Sequence, residues 1–281
     1  MPELPEVDAL VADLRPRIVG DFVERAMVAE LSILKTVDPP LEALAGLEIT
    51  DVSRQGKALI IRFDGLFIVC RFARAGWLVW HDEAPLGPVK MGKGPLGLRV
   101  RLASGAGFDL TEAGTKKNAS VALVRDLAEV PALARLGPDA LTLDAEALAD
   151  ILRLTKAHIK TVIEDQSLIS GIGNAFSDEI LHTAQLSPFA PAERVDSESL
   201  HAAIEQVLGG AREALIGLPA AKIKTAKKRL MGVHGRTGQQ CPVCGTTIAE
   251  VSFADKSLNY CPGCQTGGKR LSDRRMDRLL K

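Results

Sequence analysis

The stretch Met1–Val7 (MPELPEV) combines a second-position proline with two acids at the start of a predicted helix. Proline at position two favours removal of the initiator methionine, which would leave Pro2 with a free secondary amine beside Glu3. A chain-terminal amine has a reference pKa of about 7.7–8.0, and the positive end of a helix lowers it further. Two interpretations stay open at this point: an amine nucleophile, or an ordinary helix start with acids in its first turn. The helix itself is predicted from apolar residues at helical spacing, Val7, Leu10, Val11, Leu14 and Ile18.

Length and composition indicate a globular chain of more than one domain. A length of 281 residues favours about two domains. Hydrophobic residues make up 46% and charged residues 25%, values typical of soluble proteins. No apolar stretch approaches the roughly 20 residues that span a bilayer, and no secretory signal opens the chain. We therefore expect no membrane association and a cytoplasmic location.

Charge is unevenly distributed along a chain whose formal net charge is zero. Residues 1–220 contain 22 Lys and Arg against 31 Asp and Glu, a net charge of −9. Residues 221–281 contain 13 against 4, a net charge of +9. Such asymmetry favours a basic element that binds a polyanion. A solvated basic tail would give the same count.

The N-terminal half predicts strands behind the first helix. Short apolar segments separated by turn residues occupy 21–31, 47–53, 58–63, 65–70, 76–80, 96–102 and 120–124. Closely spaced strands favour a β-sandwich or barrel, here with a helix in front. Leu136–Asp139 (LGPD) breaks the pattern and places a domain boundary near residue 138. Gly56-Lys57 precedes one strand, where a lysine can bind one phosphate or simply face solvent.

The C-terminal half predicts helices over 144–154, 159–165, 175–184 and 197–216. Gly171–Asn174 (GIGN) stands at the entrance of the third of these helices. Glycines at a helix N-terminus let the backbone approach a phosphate, which the helix dipole attracts. Asn174 could cap the helix or contact the phosphate. The same four residues would also fit an ordinary turn between two helices.

Four cysteines are arranged as two C-x-x-C pairs with 16 residues between them: Cys241, Cys244, Cys261 and Cys264. This spacing is typical of a tetrahedral zinc site with four thiolate ligands, and a cytosolic location disfavours disulfides. With four sulfur ligands the zinc would be structural, since no position is left for a substrate. The intervening residues predict a β-hairpin that folds on binding one Zn²⁺.

Basic residues surround this predicted hairpin. Such a charged zinc hairpin is a common means of binding a phosphate backbone. A purely solubilising surface fits less well beside a metal site. The residues are Lys222, Lys224, Lys227, Lys228, Arg229, His234, Arg236, Lys256, Lys269, Arg270, Arg274 and Arg275.

Taken together, the motifs resemble those of the formamidopyrimidine-DNA glycosylase / endonuclease VIII family of base-excision repair enzymes. The resemblance extends over essentially the whole chain, with the motifs in the family's order. They are Pro2–Glu6, Gly56-Lys57, Leu136–Pro138, Ile159–Thr161, Asp165-Gln166 with Gly171–Asn174, Asp178-Glu179, and His234–Arg236 before the zinc cysteines.

The resemblance implies a mechanism and a set of site residues. The Pro2 amine would attack C1′ of the damaged nucleotide, displace the base and form a Schiff base with the opened sugar. Glu3 would transfer protons, and Glu6 would orient the N-terminus. The iminium would acidify the C2′ proton, so that β- and then δ-elimination cut the strand, after the base has left the stack. Phosphates flanking the lesion would be held by Lys57, Asn174 and Lys160.

Three departures from the family pattern concern how the lesion is recognised. Family members insert a Met and an Arg-Phe pair into the duplex; Arg74 stands at the first position, and Thr111–Asn118 contains no counterpart of the second. Gly217–Val233 is shorter than the flexible loop of the family's oxidised-purine enzymes. Lys256 stands where the zinc hairpin presents an arginine, and it lacks the bidentate guanidinium. A specificity for 8-oxoguanine is therefore not implied.

These inferences define an α+β protein with three parts. Residues 1–137 form a catalytic β-sandwich domain, 138–235 a helix–two-turn–helix domain, and 236–281 a zinc finger with a basic tail. We expect a monomeric, bifunctional DNA glycosylase and AP lyase that acts on double-stranded DNA containing a damaged base or abasic site. The alternative is a non-catalytic or abasic-site-preferring DNA-binding member of the family. The predicted DNA-binding residues are Lys160, Asn174, Lys256, Arg74 and Arg236.

Overall fold

The computed structural model describes residues 1–92, 94–114, 117–253 and 256–272. Its helices are α1 (Leu4–Ile18), α2 (Pro131–Ala134), α3 (Ala145–Leu154), α4 (Ile159–Glu164), α5 (Asn174–Thr183), α6 (Ser197–Leu215), α7 (Ala220–Leu230) and α8 (Pro262–Thr266). Its strands are β1 (Val23–Val28), β2 (Ile49–Gln55), β3 (Ala58–Phe63), β4 (Phe67–Arg71), β5 (Gly76–His81), β6 (Leu96–Leu102), β7 (Gly107–Glu112), β8 (Ser120–Val124), β9 (Ala249–Ser252) and β10 (Ser257–Tyr260). Among the described residues, no helix combines the length and apolar character needed to cross a bilayer.

The chain divides into two compact units. The first comprises Met1–Leu136 and Ala214–Ala226, and the second comprises Gly137–Glu213 and the described residues from 227 on. This division falls one residue before the end of the predicted 1–137 domain. It differs from the predicted 138–235 domain, because residues 214–226 group with the first unit. The zinc-finger region, predicted as a separate part, groups with the helices of the second unit.

The first unit is the predicted β-sandwich with a helix in front. Two four-stranded antiparallel sheets have the orders β1-β6-β7-β5 and β2-β3-β4-β8. The two sheets and α1 contribute to one apolar core, to which α1 adds Val7, Leu10 and Leu14. Burial of these side chains, at roughly 25 cal/mol per Å² of apolar surface, fixes the N-terminal turn of α1 against the sandwich.

Residues 217–233, expected to form a short Lys- and Ala-rich loop, contain the helix α7. Pro219 precedes its first turn, where a missing N–H costs nothing. Ala220 and Ile223 belong to the core of the first unit. The Ala220 N–H donates to Asp13 Oδ2 at 2.9 Å, and its carbonyl accepts from Trp77 Nε1 at 3.1 Å. The start of α7 is therefore part of the first unit.

The second unit contains α3–α6, the hairpin β9–β10 and the short helix α8. The helices bury one apolar face each, as the sequence periodicity predicts. Phe176 and Ile180 of α5 and Leu200 and Leu208 of α6 are at most 1% exposed. Strands β9 and β10 pair antiparallel over four residues each, which confirms a hairpin between the two cysteine pairs.

Candidate active site and metal centre

The N-terminus of α1 buries two carboxylates next to Pro2. Glu3 is the residue that precedes the helix, and Glu6 lies in its first turn; each is 3% exposed. The Glu3 N–H donates to Glu6 Oε2 at 2.9 Å, as in a capping box. Pro2 is buried, whereas Met1 is exposed. Two buried carboxylates therefore follow Pro2 closely in the chain, at the N-terminus of α1.

Lys57 lies in the two-residue turn between β2 and β3. Gly56 adopts a positive φ of 56° there, a conformation that suits a glycine. Arg54 fixes this turn, because its Nη1 donates to the Gly56 carbonyl at 3.0 Å and its Nε donates to Asp8 Oδ1 at 2.7 Å. Asp8 belongs to α1, so the Arg54 side chain connects the turn that contains Lys57 to the helix that contains Glu6.

Arg74 is exposed in the turn between β4 and β5. The preceding Ala73 has a φ of 51°, and a Cβ on Gly76 would lie 1.8 Å from the Phe72 carbonyl oxygen. The turn is therefore tight and presents Arg74 outward. The second predicted departure, Thr111–Asn118, lies partly outside the described residues, at 115 and 116.

Lys224 lies near the candidate site, although no sequence pattern separates it from its basic neighbours. Its Nζ lies 4.7 Å from the centroid of the Trp77 ring, a cation–π distance. Partial burial lowers the pKa of Lys224, although the charge of Glu6 opposes this change. The side chain comes from α7, so its place beside the α1 acids depended on a helix that the sequence analysis described as a loop.

In the second unit, Asn174 is the first residue of α5, one residue before the predicted helix start at 175. Its Nδ2 donates to the Ser257 carbonyl at 2.8 Å, which uses one of the two amide hydrogens. The turn before it is held by Gln166, which accepts the Gly171 N–H at 3.1 Å and donates to the Ile172 carbonyl at 2.8 Å. A ten-residue helix with an amide at its first position can bind an anion.

Lys160 is 5% exposed and lies within a polar network. Its Nζ contacts Asp178 Oδ1 at 2.6 Å, Ser177 Oγ at 2.6 Å and Glu164 Oε1 at 2.9 Å. The geometry favours an internal structural role for this lysine over the phosphate contact predicted for it. Glu164 also forms an ion pair with Lys256, the hairpin lysine. Arg236 Nε donates to Gln239 Oε1 at 2.9 Å on the exposed surface of the second unit.

We expect Lys160→Met to destabilise the protein by about 3–5 kcal/mol, because it leaves buried carboxylates without their cation. Burial opposes ionisation of Glu164, but Lys160 and Lys256 outweigh it and lower the pKa of this carboxyl. The pairing therefore stabilises the fold above the unfolded pKa of about 4.3 and is lost as the pH falls through the lower folded value. Urea unfolding at pH 7 measures the first effect, and urea unfolding at successively lower pH measures the second. Exposed Lys156→Met is the matched control, and wild-type stability in Lys160→Met would contradict the structural role.

Two buried acids of α5 connect this helix to the segment that leads into the zinc finger. Glu179 accepts the backbone N–H groups of residues 232, 233 and 234 at 2.8–3.0 Å. Asp178 contacts His234 Nδ1 at 2.6 Å and accepts the Asn259 N–H at 3.1 Å. The sequence offered these residues only as motif matches, and their acceptor role required the coordinates of three separate segments.

The four predicted zinc ligands lie together at the end of the hairpin. The Sγ atoms of Cys241 and Cys264 are 3.8 Å apart, and those of Cys244 and Cys261 are 3.3 Å apart. Zinc–sulfur bonds of about 2.3 Å in a tetrahedron require sulfur–sulfur distances of about 3.8 Å. Hydrogen bonds from Thr246 lower the pKa of Cys244 to about 6, whereas burial raises the pKa of Cys261 and of Cys264. The four cysteines therefore supply the donor set of a tetrahedral zinc site, with Cys244 and Cys261 closer together than the metal-bound geometry requires.

Removal of zinc is expected to unfold the hairpin, whose own core is one small cluster around Val251, Leu258 and Tyr260. Tyr260 is the single tyrosine of the chain, is 1% exposed, and its hydroxyl accepts the Leu271 N–H at 2.7 Å. When a chelator removes the zinc, the NMR chemical shifts of its ring protons should move to the values of a solvent-exposed tyrosine. Trp77 and Trp80 in the first unit are the internal control, and an unchanged tyrosine spectrum in metal-free protein would contradict the prediction.

Three family models match successive parts of the chain. The formamidopyrimidine-DNA glycosylase N-terminal domain matches residues 1–117, and the helix–two-turn–helix domain of the same enzymes matches residues 136–219. A zinc finger found in these glycosylases and in isoleucyl-tRNA synthetase matches residues 238–267.

Relatives with names and structures agree with these models. Formamidopyrimidine-DNA glycosylase of Symbiobacterium thermophilum is 32% identical, with 98% of this chain and 93% of that protein covered. An uncharacterised formamidopyrimidine-DNA glycosylase-like protein of Mycobacterium tuberculosis is 53% identical over 158 residues, which is 55% of this chain and all of that protein. The Lactococcus lactis glycosylase, solved non-covalently bound to DNA containing an AP site, has the same fold, with a TM-score of 0.80, 24% identity, and coverage of 94% and 99%. The chain therefore belongs to the formamidopyrimidine-DNA glycosylase family of base-excision repair DNA glycosylases.

Proposed function

We propose that the protein is a bifunctional DNA glycosylase and AP lyase whose nucleophile is the amine of Pro2. The observation that carries this proposal is the pair of carboxylates, Glu3 and Glu6, buried at the N-terminus of α1 beside that residue. Each carboxylate accepts a backbone N–H of the capping box, so both acids are held in place at the start of the helix that follows Pro2. The Lactococcus lactis relative, solved with AP-site DNA, supports a substrate of that class.

The proposed reaction begins with the unprotonated Pro2 nitrogen and C1′ of the damaged nucleotide. A nitrogen–C1′ bond forms as the glycosidic bond breaks, and the base leaves with a proton. Glu3 supplies a proton to the ring oxygen or leaving group, and the sugar ring opens to an iminium on Pro2. Glu6 holds the Glu3 N–H and so orients the N-terminal residues.

Strand cleavage follows from the electron-withdrawing iminium. Loss of the C2′ proton expels the 3′ phosphate, and a second elimination expels the 5′ phosphate. Water then hydrolyses the iminium and regenerates the amine. In the first unit Lys57 would bind a phosphate as a point charge, and in the second unit Asn174 would do so through its remaining Nδ2 hydrogen and the helix dipole. When bound, zinc supplies only the folded hairpin, held by the four cysteines.

A panel of duplex oligonucleotides tests this proposal. It carries 8-oxoguanine, formamidopyrimidine, oxidised pyrimidines or an abasic site, each opposite all four bases. The expected result is base release from at least one lesion and nicking of the abasic duplex to fragments that end in phosphate on both sides of the gap. Tight binding to abasic DNA without any nicking would favour the non-catalytic alternative and overturn the proposal.

A further inference from the structure

A histidine outside the predicted ligand set lies next to the cysteine cluster. His182, in the last turn of α5, is 8% exposed. Its Nε2 lies 3.3 Å from Cys241 Sγ. The ligand atoms of His182, Cys241, Cys261 and Cys264 all lie within 4.8 Å of one another. Either His182 is a zinc ligand, or it contacts a sulfur that is.

The four cysteines favour the second arrangement. Cys244 Sγ lies 3.3 Å from Cys261 Sγ, and the zinc-finger model over residues 238–267 includes all four cysteines but not His182. Structural zinc is almost always four-coordinate, and a fifth ligand has no place in that shell. A distance of 3.3 Å also suits an N–H···S hydrogen bond. His182 therefore contacts the Cys241 sulfur, and the four cysteines are the zinc ligands.

Helix α5 contacts the zinc module at both ends, and the His182 contact lies at its C-terminal end. At the start of α5, Asn174 Nδ2 donates to the carbonyl of Ser257, the first residue of β10. Near the end of α5, His182 reaches Cys241. Between them, Asp178 accepts the N–H of Asn259 in β10. The helix and the metal module are thus one polar assembly within the second unit.

We propose that His182 is a positioning residue of the zinc site, which donates its Nε2–H to the Cys241 thiolate and sets the zinc module against α5. Hydrogen bonds to a thiolate withdraw charge from the sulfur and fix its orientation, and their loss typically weakens metal binding 10–100-fold. Through α5 the same bond holds Asn174 in register with the hairpin. The inference rests on the zinc site and is independent of the glycosylase activity.

NMR of zinc-loaded, ¹⁵N-histidine-labelled protein tests the donor directly, and it needs no substitution. The chain has five histidines, which can be assigned by substitution one at a time. The expected result is a neutral His182 ring protonated at Nε2, with a coupling from that proton to ¹¹³Cd when cadmium replaces zinc. A ring protonated at Nδ1 alone would overturn the proposal, because Nε2 could then only accept a hydrogen bond or bind metal.

Metal affinity provides the second test. We expect the zinc affinity of His182→Phe, measured by competition with a chelator, to be 10–100-fold below that of wild type. His182→Gln keeps an N–H near the Nε2 position and should recover most of this loss. The cobalt-substituted His182→Phe protein should keep a four-sulfur absorption spectrum. His201→Phe is the matched control, since His201 is a half-buried histidine of the same unit whose Nε2 contacts the Leu143 carbonyl. Wild-type affinity in His182→Phe, or a cobalt spectrum that shows loss of a nitrogen ligand, would contradict the proposal.

Discussion

Retention of Met1 abolishes both base excision and strand cleavage in the mechanism proposed for this chain. Pro2→Leu should produce this state, because a bulky second residue prevents removal of the initiator methionine. The terminal amine would then be the primary amine of Met1, which is one residue farther from Glu3 and Glu6. We expect no product above background with a lesion that the wild type excises, measured in single-turnover reactions with the intact mass of each protein determined beforehand.

Two controls separate loss of the amine from loss of the proline ring. A chain with an uncleaved N-terminal extension keeps Pro2 but blocks its nitrogen, and it should be equally inactive. Both proteins should bind a duplex with a non-reactive abasic analogue as wild type does, since Lys57 and Asn174 are untouched. Full activity in either protein would show that another group is the nucleophile, for which Lys224, whose charge interacts with that of Glu6, is a candidate.

The second large effect is expected from Glu3→Gln, which keeps the shape of the side chain and removes its ability to transfer a proton. General acid–base catalysis contributes typically 10²–10⁴-fold, so we expect the single-turnover excision rate to fall by about 10²–10⁴-fold. Binding of the abasic analogue should not change, because an interaction made only in the transition state affects the rate and not ground-state affinity.

Glu24→Gln is the matched control for this substitution. Glu24 lies on β1 of the same unit and forms a half-exposed ion pair with Arg101, a kind of contact that contributes about 0–1 kcal/mol. Its excision rate should equal that of wild type. If Glu3→Gln lowered affinity for the analogue as much as the rate, Glu3 would be a binding residue and its proposed proton transfer would be wrong.

The fold was predictable where local patterns decide it. Strand β3 was predicted to the residue, since ALIIRF is apolar and β-branched. Strand β7 was missed, although it lies between β6 and β5 at the centre of its sheet. Its sequence GFDLTE contains Asp109, which is 6% exposed and paired with Arg99 at 2.7 Å. From sequence alone, a charged residue in a short segment favours a loop, because the partner that allows its burial lies on a neighbouring strand.

The site was predictable as a set of motifs but not as a set of contacts. Short motifs indicated Pro2, Asn174 and the cysteines. The positions of Lys224 and His182 depend on helices that bring distant segments together. No local sequence pattern near either residue predicts its contact. Lys160 shows the reverse case: a motif lysine whose surroundings are internal carboxylates.

Covalent trapping with borohydride tests the central claim most directly. Wild-type protein is mixed with a duplex that contains an abasic site, reduced, digested and analysed by mass spectrometry. The mechanism predicts a stable protein–DNA adduct in which the sugar is attached to the nitrogen of Pro2, in a peptide that lacks Met1. Binding without any adduct, or an adduct located on Lys57 or Lys224, would contradict it.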